Sequence, residues 1–155
     1  MKQHGEIAEN LFREGYNCAQ AVLLAFSDVT GLEQRTAAQL SSPFGGGLGR
    51  MREVCGAVSG AAMVLGIVEG YDDPADTAGK KAHYHRVQEF AGRFKEQNGS
   101  IICRDLLSGT AAVQGSDPEA RTPGYYRKRP CPELVRQAAE ILDDMLGDRE
   151  YAEAL

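Results

Sequence analysis

The residues best suited to chemistry in this chain of 155 residues are its four cysteines, Cys18, Cys55, Cys103 and Cys131. They are spaced too widely for the C-x-x-C motif of a thioredoxin-type site or a zinc ribbon. A cysteine thiolate is a nucleophile, a redox group and a metal ligand. Four thiolates at one site would therefore support thiol redox chemistry, an iron–sulfur cluster or a zinc ion.

The local sequence predicts that all four cysteines lie near the start of a helix. Cys18 follows the capping residue Asn17, Cys103 lies in the first turn of a short helical segment, Cys131 precedes a Pro-Glu pair, and Cys55 comes soon after a glycine-rich turn. Unpaired N–H groups and a partial positive charge at a helix N-terminus favour thiolate over thiol. We therefore expect Cys18 to be the most readily alkylated cysteine. The alternative is that the four cysteines are small buried hydrophobic residues, and their shared setting favours a common site.

Helical periodicity and helix-ending residues predict the elements that position these cysteines. A capping box of Asn17 and Gln20 marks one helix start, and Pro74 marks another. We find no convincing alternation typical of a strand, and we predict an all-α fold. The predicted helices cover 5–14, 18–27, 33–42, 50–69, 74–97, a short segment around Cys103 and 131–146, with an irregular loop over about 108–130.

The uncharged run at residues 54–68, VCGAVSGAAMVLGIV, indicates the centre of the fold. It is too short to span a bilayer comfortably, since a spanning helix needs about 20 residues. It is instead typical of a helix buried on every side by other helices, with Gly56, Gly60 and Gly66 allowing close backbone approach. We therefore predict one compact domain over 1–155, a helical bundle around a central buried Gly/Ala-rich helix.

Composition excludes several classes of function. The net charge of −5 and the pI near 5.2 argue against nucleic-acid binding, which usually needs a basic surface. The N-terminal residues MKQHGEIAEN lack the apolar stretch of a signal peptide, and we place His4 at a terminus that frays. We expect a cytoplasmic protein that binds no membrane, in a compartment where thiols stay reduced.

Two stretches of the sequence contain clustered basic residues. The glycine-rich turn at 45–49 could bind phosphate, but no Lys-Ser/Thr follows it and Arg50 occupies a position where a dinucleotide motif needs glycine. Arg50 and Arg52 could stabilise a thiolate or an anionic cluster, and a solvated position is the alternative. For the run at 127–129, Arg-Lys-Arg, we expect a solvated loop.

Four segments together resemble the family of redox-active proteins named for its cysteine pattern, C-GCAxxG-C-C. They are EGYNCAQAVLLAF, FGGGLGRMREVCGAVSGA, NGSIICRDLL and CPELVRQAAEIL. One departure is that Cys55 and Gly56 stand in the reverse order to the family name. The resemblance implies a redox role, and it extends to the split-Soret cytochromes, whose similar cysteine region is associated with an iron–sulfur centre. It implies no haem here, because the chain has no C-x-x-C-H motif.

Together these observations predict a redox site formed by Cys18, Cys55, Cys103 and Cys131, as redox thiols and as ligands of an iron–sulfur cluster or other metal. A metal-free dithiol/disulfide oxidoreductase or redox sensor is one alternative, and a structural zinc protein is another. If the protein is an enzyme, we expect an oxidoreductase. The sequence does not identify the redox partner, and a homodimer is compatible with a domain of this size.

Overall fold

The computed structural model of the protein describes residues 3–110, 112 and 114–147. Over these residues the fold is all-α, as predicted, and the only extended pairing is an isolated antiparallel bridge between Val54 and Ile102. A 3₁₀ turn at Ser42–Phe44 follows the fourth helix. The helices are α1 (His4–Arg13), α2 (Cys18–Ala25), α3 (Ser27–Thr30), α4 (Gln34–Ser41), α5 (Gly56–Glu69), α6 (Thr77–Asn98), α7 (Cys103–Leu106), α8 (Pro123–Lys128) and α9 (Cys131–Leu146).

Local capping signals fix several of these helix ends. The predicted capping box is present: Asn17 Oδ1 accepts from the Gln20 N–H at 2.9 Å, and Gln20 Oε1 accepts from the Asn17 N–H at 3.0 Å. Two predictions need correction. Helix α6 begins at Thr77 and not at Pro74, because the Asp76 side chain accepts from a first-turn N–H. Helix α8 lies inside the predicted irregular loop, with Thr122 as its cap.

Helices α2 and α5 form the centre of the fold. Helix α2 packs against α1, α4, α5 and α9, and six of its eight residues are buried. The α2–α5 contact depends on Gly60, where an added Cβ would lie 2.6 Å from the Ala19 carbonyl oxygen. Helix α5 is not buried on every side, since the Ile67 side chain is 48% exposed near its C-terminal end.

Helix α5 begins at Gly56, six residues later than predicted. Leu48, Arg50 and Arg52 all have positive φ, between 62° and 68°, and three of the neighbouring glycines also have positive φ. A left-handed backbone cannot continue a right-handed helix, and it is costly for residues with a Cβ. The segment before α5 is therefore a tightly coiled loop and not a first helical turn.

His4 lies in a buried position, which corrects the expectation that the N-terminus frays there. Its ring stacks on Phe26 with centroids 4.1 Å apart. Its Nδ1 hydrogen-bonds to Asp143 at 2.6 Å, and its Nε2 hydrogen-bonds to Asp28 at 2.9 Å. Burial disfavours the charged imidazole, but the hydrogen bonds and charges of the two aspartates outweigh this and raise the pKa of His4. His4 thus connects α1 to α3 and α9.

In the portion of the chain that the structure describes, no helix combines the length and the apolar character that crossing a bilayer requires.

Candidate functional site

All four cysteines line one cavity of about 50 Å³. Cys18, Cys103 and Cys131 are the first residues of α2, α7 and α9, and Cys55 is the N-terminal cap of α5. The structure thus brings together thiols that are far apart in the sequence by directing four helix starts at one point. The remaining lining residues are Phe12, Asn17, Gly46, Gly47, Arg52, Gly56, Leu106, Leu107, Arg121, Tyr125, Arg129 and Leu134.

A short backbone pairing holds Cys55 and Cys103 on adjacent segments. The Cys55 N–H donates to the Ile101 carbonyl at 2.8 Å, and the Cys103 N–H donates to the Glu53 carbonyl at 2.6 Å. These bonds flank the bridge between Val54 and Ile102. These two hydrogen bonds fix the main chain at Cys55 and at Cys103. They therefore fix the points from which the two side chains enter the cavity.

Glycines let the backbone come close to the thiols. A Cβ at Gly47 would lie 2.7 Å from the Cys103 Cβ and 2.6 Å from the Glu53 nitrogen. A Cβ at Gly56 would lie 2.9 Å from the Phe44 oxygen and 3.1 Å from the Cys18 Cβ. Position 56 therefore has no room for a side chain. This gives a steric reason for the order Cys55-Gly56, which is the reverse of the family pattern.

Cys18 and Cys131 are neighbours in the cavity, and each changes the pKa of the other. The interaction with Cys131, together with burial and the electrostatic effect of Cys131, raises the pKa of the Cys18 thiol well above its ordinary value. The same interaction lowers the pKa of Cys131, and although burial opposes it, the nearby Arg129, Arg121 and Arg52 add to the effect. The pKa of Cys18 is thus shifted in the direction opposite to the one expected from its position at a helix start, which argues against Cys18 as the most readily alkylated cysteine.

The other two cysteines favour the thiol form. Burial raises the pKa of Cys55 to about 12, although the backbone N–H groups of Ala57 and Val58 partly oppose it. Burial also raises the pKa of Cys103, against the opposing effect of Arg52, whose Nη1 lies 3.7 Å from the Cys103 sulfur. The pKa is thus lowered at one cysteine of the site and raised at the other three.

Arginines surround the thiols, and the sequence predicted only some of them. Arg52 lies at the cavity as one alternative suggested, and it is buried. Arg129 is also buried, with 7% of its surface exposed, so the predicted solvated loop is wrong at this position. Arg129 Nη2 donates to both Glu119 oxygens, at 2.6 and 2.7 Å. The sequence analysis did not identify Arg121 or Glu119 as residues of the site. For Arg129, the available signal was its position two residues before Cys131.

The donor chemistry of the cavity suits a soft metal, since four thiols are the usual ligands of iron–sulfur clusters and structural zinc. The observed positions of the thiols do not suit a single bound metal ion. Across residues 3–110, 112 and 114–147, no group of three or more His, Cys, Asp or Glu side chains is placed to hold a metal ion. A metal would require the thiols to move closer to one another.

Comparison with known proteins agrees with this four-cysteine arrangement. Residues 16–145 match the model of the family described as "Putative redox-active protein (C_GCAxxG_C_C)". Neither the curated proteins nor the solved structures gave a match to this chain. The matched region contains all four cysteines and extends over most of the sequence. The chain therefore belongs to the redox-active C_GCAxxG_C_C family.

Proposed function

We propose that this protein carries out thiol redox chemistry in the cysteine-lined cavity, with Cys131 and Cys18 as the reacting pair. The observation that carries the proposal is that both cysteines line one cavity as neighbours, with the pKa of Cys131 lowered and that of Cys18 raised. Thiol–disulfide exchange begins with a thiolate, and it needs a second thiol close to the first. The Cys18–Cys131 pair combines a lowered pKa on one thiol with a neighbouring second thiol.

The proposed reaction is a two-electron exchange with a disulfide. The Cys131 thiolate attacks one sulfur of the disulfide, forming a mixed disulfide and releasing the first thiolate. Cys18 then loses its proton and attacks the Cys131 sulfur, which forms the Cys18–Cys131 disulfide and releases the second thiolate. The protein dithiol is oxidised and the substrate disulfide is reduced to two thiols. The reverse sequence oxidises a dithiol substrate.

A second candidate function is electron transfer by an iron–sulfur cluster or another bound metal. It is supported by the four thiols at one cavity and by Arg52, Arg121 and Arg129, whose charges would offset those of several thiolates. Such a group would supply one-electron chemistry when bound. The present arrangement of the thiols favours the dithiol reaction, and we assign no step to a metal.

The deciding experiment starts with protein purified without air, from which the visible spectrum and the contents of iron, sulfide, zinc and free thiol are measured. For the dithiol reaction we expect a colourless protein with four free thiols and no stoichiometric metal. Mild oxidation should then give one disulfide, which mass spectrometry should locate between Cys18 and Cys131. A brown protein that contains iron and sulfide would replace this proposal with the cluster. One tightly bound zinc without a reducible cysteine pair would indicate a structural role.

The variant Cys103→Ser distinguishes the dithiol exchange from electron transfer by a cluster. Cys103 takes no part in the proposed exchange, so the variant should still form the Cys18–Cys131 disulfide. A four-thiolate cluster would instead lose a ligand, and with it colour and iron. Cys18→Ser is the matched comparison, because it should abolish the internal disulfide and leave a mixed disulfide on Cys131.

A further inference from the structure

A second cleft, of about 410 Å³, lies beside the thiol cavity. The two spaces have several lining residues in common, so a molecule in the cleft would lie close to the thiols. These shared residues are Asn17, Gly46, Arg52, Arg121, Tyr125 and Arg129. The cleft is thus a candidate approach to the cysteines.

Positive charge predominates in this cleft. Its lining includes Arg50, Arg52, Arg121 and Arg129, against one carboxylate, that of Glu119. Three of the four arginines have at most 16% of their side-chain surface exposed, which makes their charges costly without an anion nearby. A thiolate on Cys131 would add one negative charge, and among the described lining residues the four arginines would still outnumber the two negative groups.

Glu119 already shows how this cleft binds a carboxylate. Besides the two contacts of Arg129, the Glu119 carboxylate is 3.2 Å from Arg50 and 3.5 Å from Arg52. The carboxylate is about one-third exposed, and the arginines lower its pKa, so it is ionised at neutral pH. Guanidinium groups match the planar geometry of a carboxylate, and such charge-assisted bonds are stronger than neutral ones. Because the Glu119 carboxylate is partly exposed while it contacts three arginines, a carboxylate from solution can replace it.

We propose that the arginine cleft binds a small carboxylate-bearing molecule in exchange for Glu119, and that the substrate of the thiol pair is an anionic low-molecular-weight thiol or disulfide. The statement about the substrate rests on the proposed redox function. The binding site itself does not, since it depends only on the arginines and on Glu119. Arg50, Arg52 and Arg129 would hold the carboxylate, while the sulfur end of the molecule points towards Cys131.

Two alkylating reagents test the site directly, because iodoacetate and iodoacetamide share the same reactive carbon and differ in a carboxylate. The quantity to measure is the ratio of their rates at each cysteine, obtained by mass spectrometry. Both reagents need the same thiolate, so the ratio does not depend on the cysteine pKa. The same ratio in the urea-unfolded protein gives the reference. We expect the folded protein to exceed this reference at Cys131 by about tenfold, the factor for one charge-assisted hydrogen bond.

Matched variants locate the effect in the cleft. Glu119→Gln removes the competing carboxylate and should raise the ratio further. Arg129→Gln should return it towards the reference, and Arg50→Gln provides the same test at a less buried position if the first variant does not fold. Arg35→Gln removes the same charge from an exposed position on α4 and should leave the ratio unchanged. An equal fall in Arg35→Gln would show that only net charge matters and would overturn the proposal.

Thermal unfolding in malonate provides a second measurement, which decides the matter if no cysteine is alkylated. A ligand that binds only the folded state raises the melting temperature. Malonate should therefore stabilise Glu119→Gln more than chloride of equal ionic strength does, and this difference should disappear when Arg129→Gln is added. If the protein shows no preference for iodoacetate and no stabilisation by malonate, Glu119 is a fixed counter-ion and the proposal is wrong. A clear preference without any Cys18–Cys131 disulfide would retain the anion site and refute the redox function.

Discussion

The contact between α2 and α5 can be tested by adding a single methyl group at Gly60. The Cβ of Gly60→Ala would lie 2.6 Å from the Ala19 carbonyl oxygen and 3.1 Å from the Ala19 Cα. Both are backbone atoms, so α2 must move as a whole. Overpacking of this kind costs about 1–3 kcal/mol or more, and the higher helix propensity of alanine returns about 1 kcal/mol. The net effect should be a loss of up to about 2 kcal/mol, as the difference of these terms.

Gly66→Ala is the control within the same helix, because no atom lies within 4 Å of the Cβ it would add. It should gain about 0.5–1 kcal/mol from helix propensity alone. Because both variants gain helix propensity, they should differ by the overpacking term alone, which is about 1–3 kcal/mol in the free energy of unfolding, measured by urea denaturation in reducing buffer. A domain of this size shifts its melting temperature by about 2–4 °C per kcal/mol. Equal stability of the two variants would show that α2 and α5 are not in close contact.

The same displacement should affect the chemistry, because α2 begins with Cys18 and α5 follows Cys55. In Gly60→Ala we expect slower formation of the Cys18–Cys131 disulfide at a temperature where the variant is still folded. Gly66→Ala should keep the wild-type rate. An unchanged rate in a clearly destabilised Gly60→Ala would mean that the start of α2 holds its position independently of its packing on α5.

Three further predictions concern single side chains. Because the pKa of His4 is raised in the folded protein, the stability that His4 contributes is complete below about pH 6.5 and disappears as the pH rises through the folded pKa. His4→Gln should therefore lose stability mainly at low pH, and the exposed His85→Gln is the control. Cys131 should be alkylated faster than Cys18 near neutral pH, and the reverse order would contradict the assigned proton positions. Asn17→Ala should cost about 1 kcal/mol in urea denaturation, and no loss would show that the capping box is unimportant.

Much of the fold could be predicted because it depends on short-range signals. The helix start at Cys18 follows from Asn17 and Gln20, whose reciprocal hydrogen bonds involve only residues three apart. The end of α6 likewise follows from Gly99, which adopts a left-handed φ of 86°. Signals of this kind are complete within one helical turn, so the distant parts of the chain do not change them.

The start of α5 could not be predicted for the opposite reason. The sequence MREVCGAV is compatible with a helix, but the Arg52 N–H donates to Gly46 and the Glu53 N–H donates to Gly47. The Glu53 carbonyl then accepts from Cys103, far along the chain. These bonds replace the helical ones and hold residues with a Cβ in a left-handed conformation. Strain of this kind persists only where the surrounding structure imposes it, and here it lies beside the cysteines.

The positive charge of the site could not be predicted from the sequence for a related reason. The whole chain carries a net charge of −5, yet the cleft beside the cysteines is positive, because folding brings Arg50 and Arg52 together with Arg121 and Arg129. Within the basic run, Arg129 is buried while its two neighbours Arg127 and Lys128 are exposed, a difference that composition cannot show. A helix N-terminus alone would have favoured thiolate at every cysteine. The interaction between Cys18 and Cys131 breaks that equivalence, and the nearby arginines add to it, so that the pKa is lowered at Cys131 and raised at Cys18.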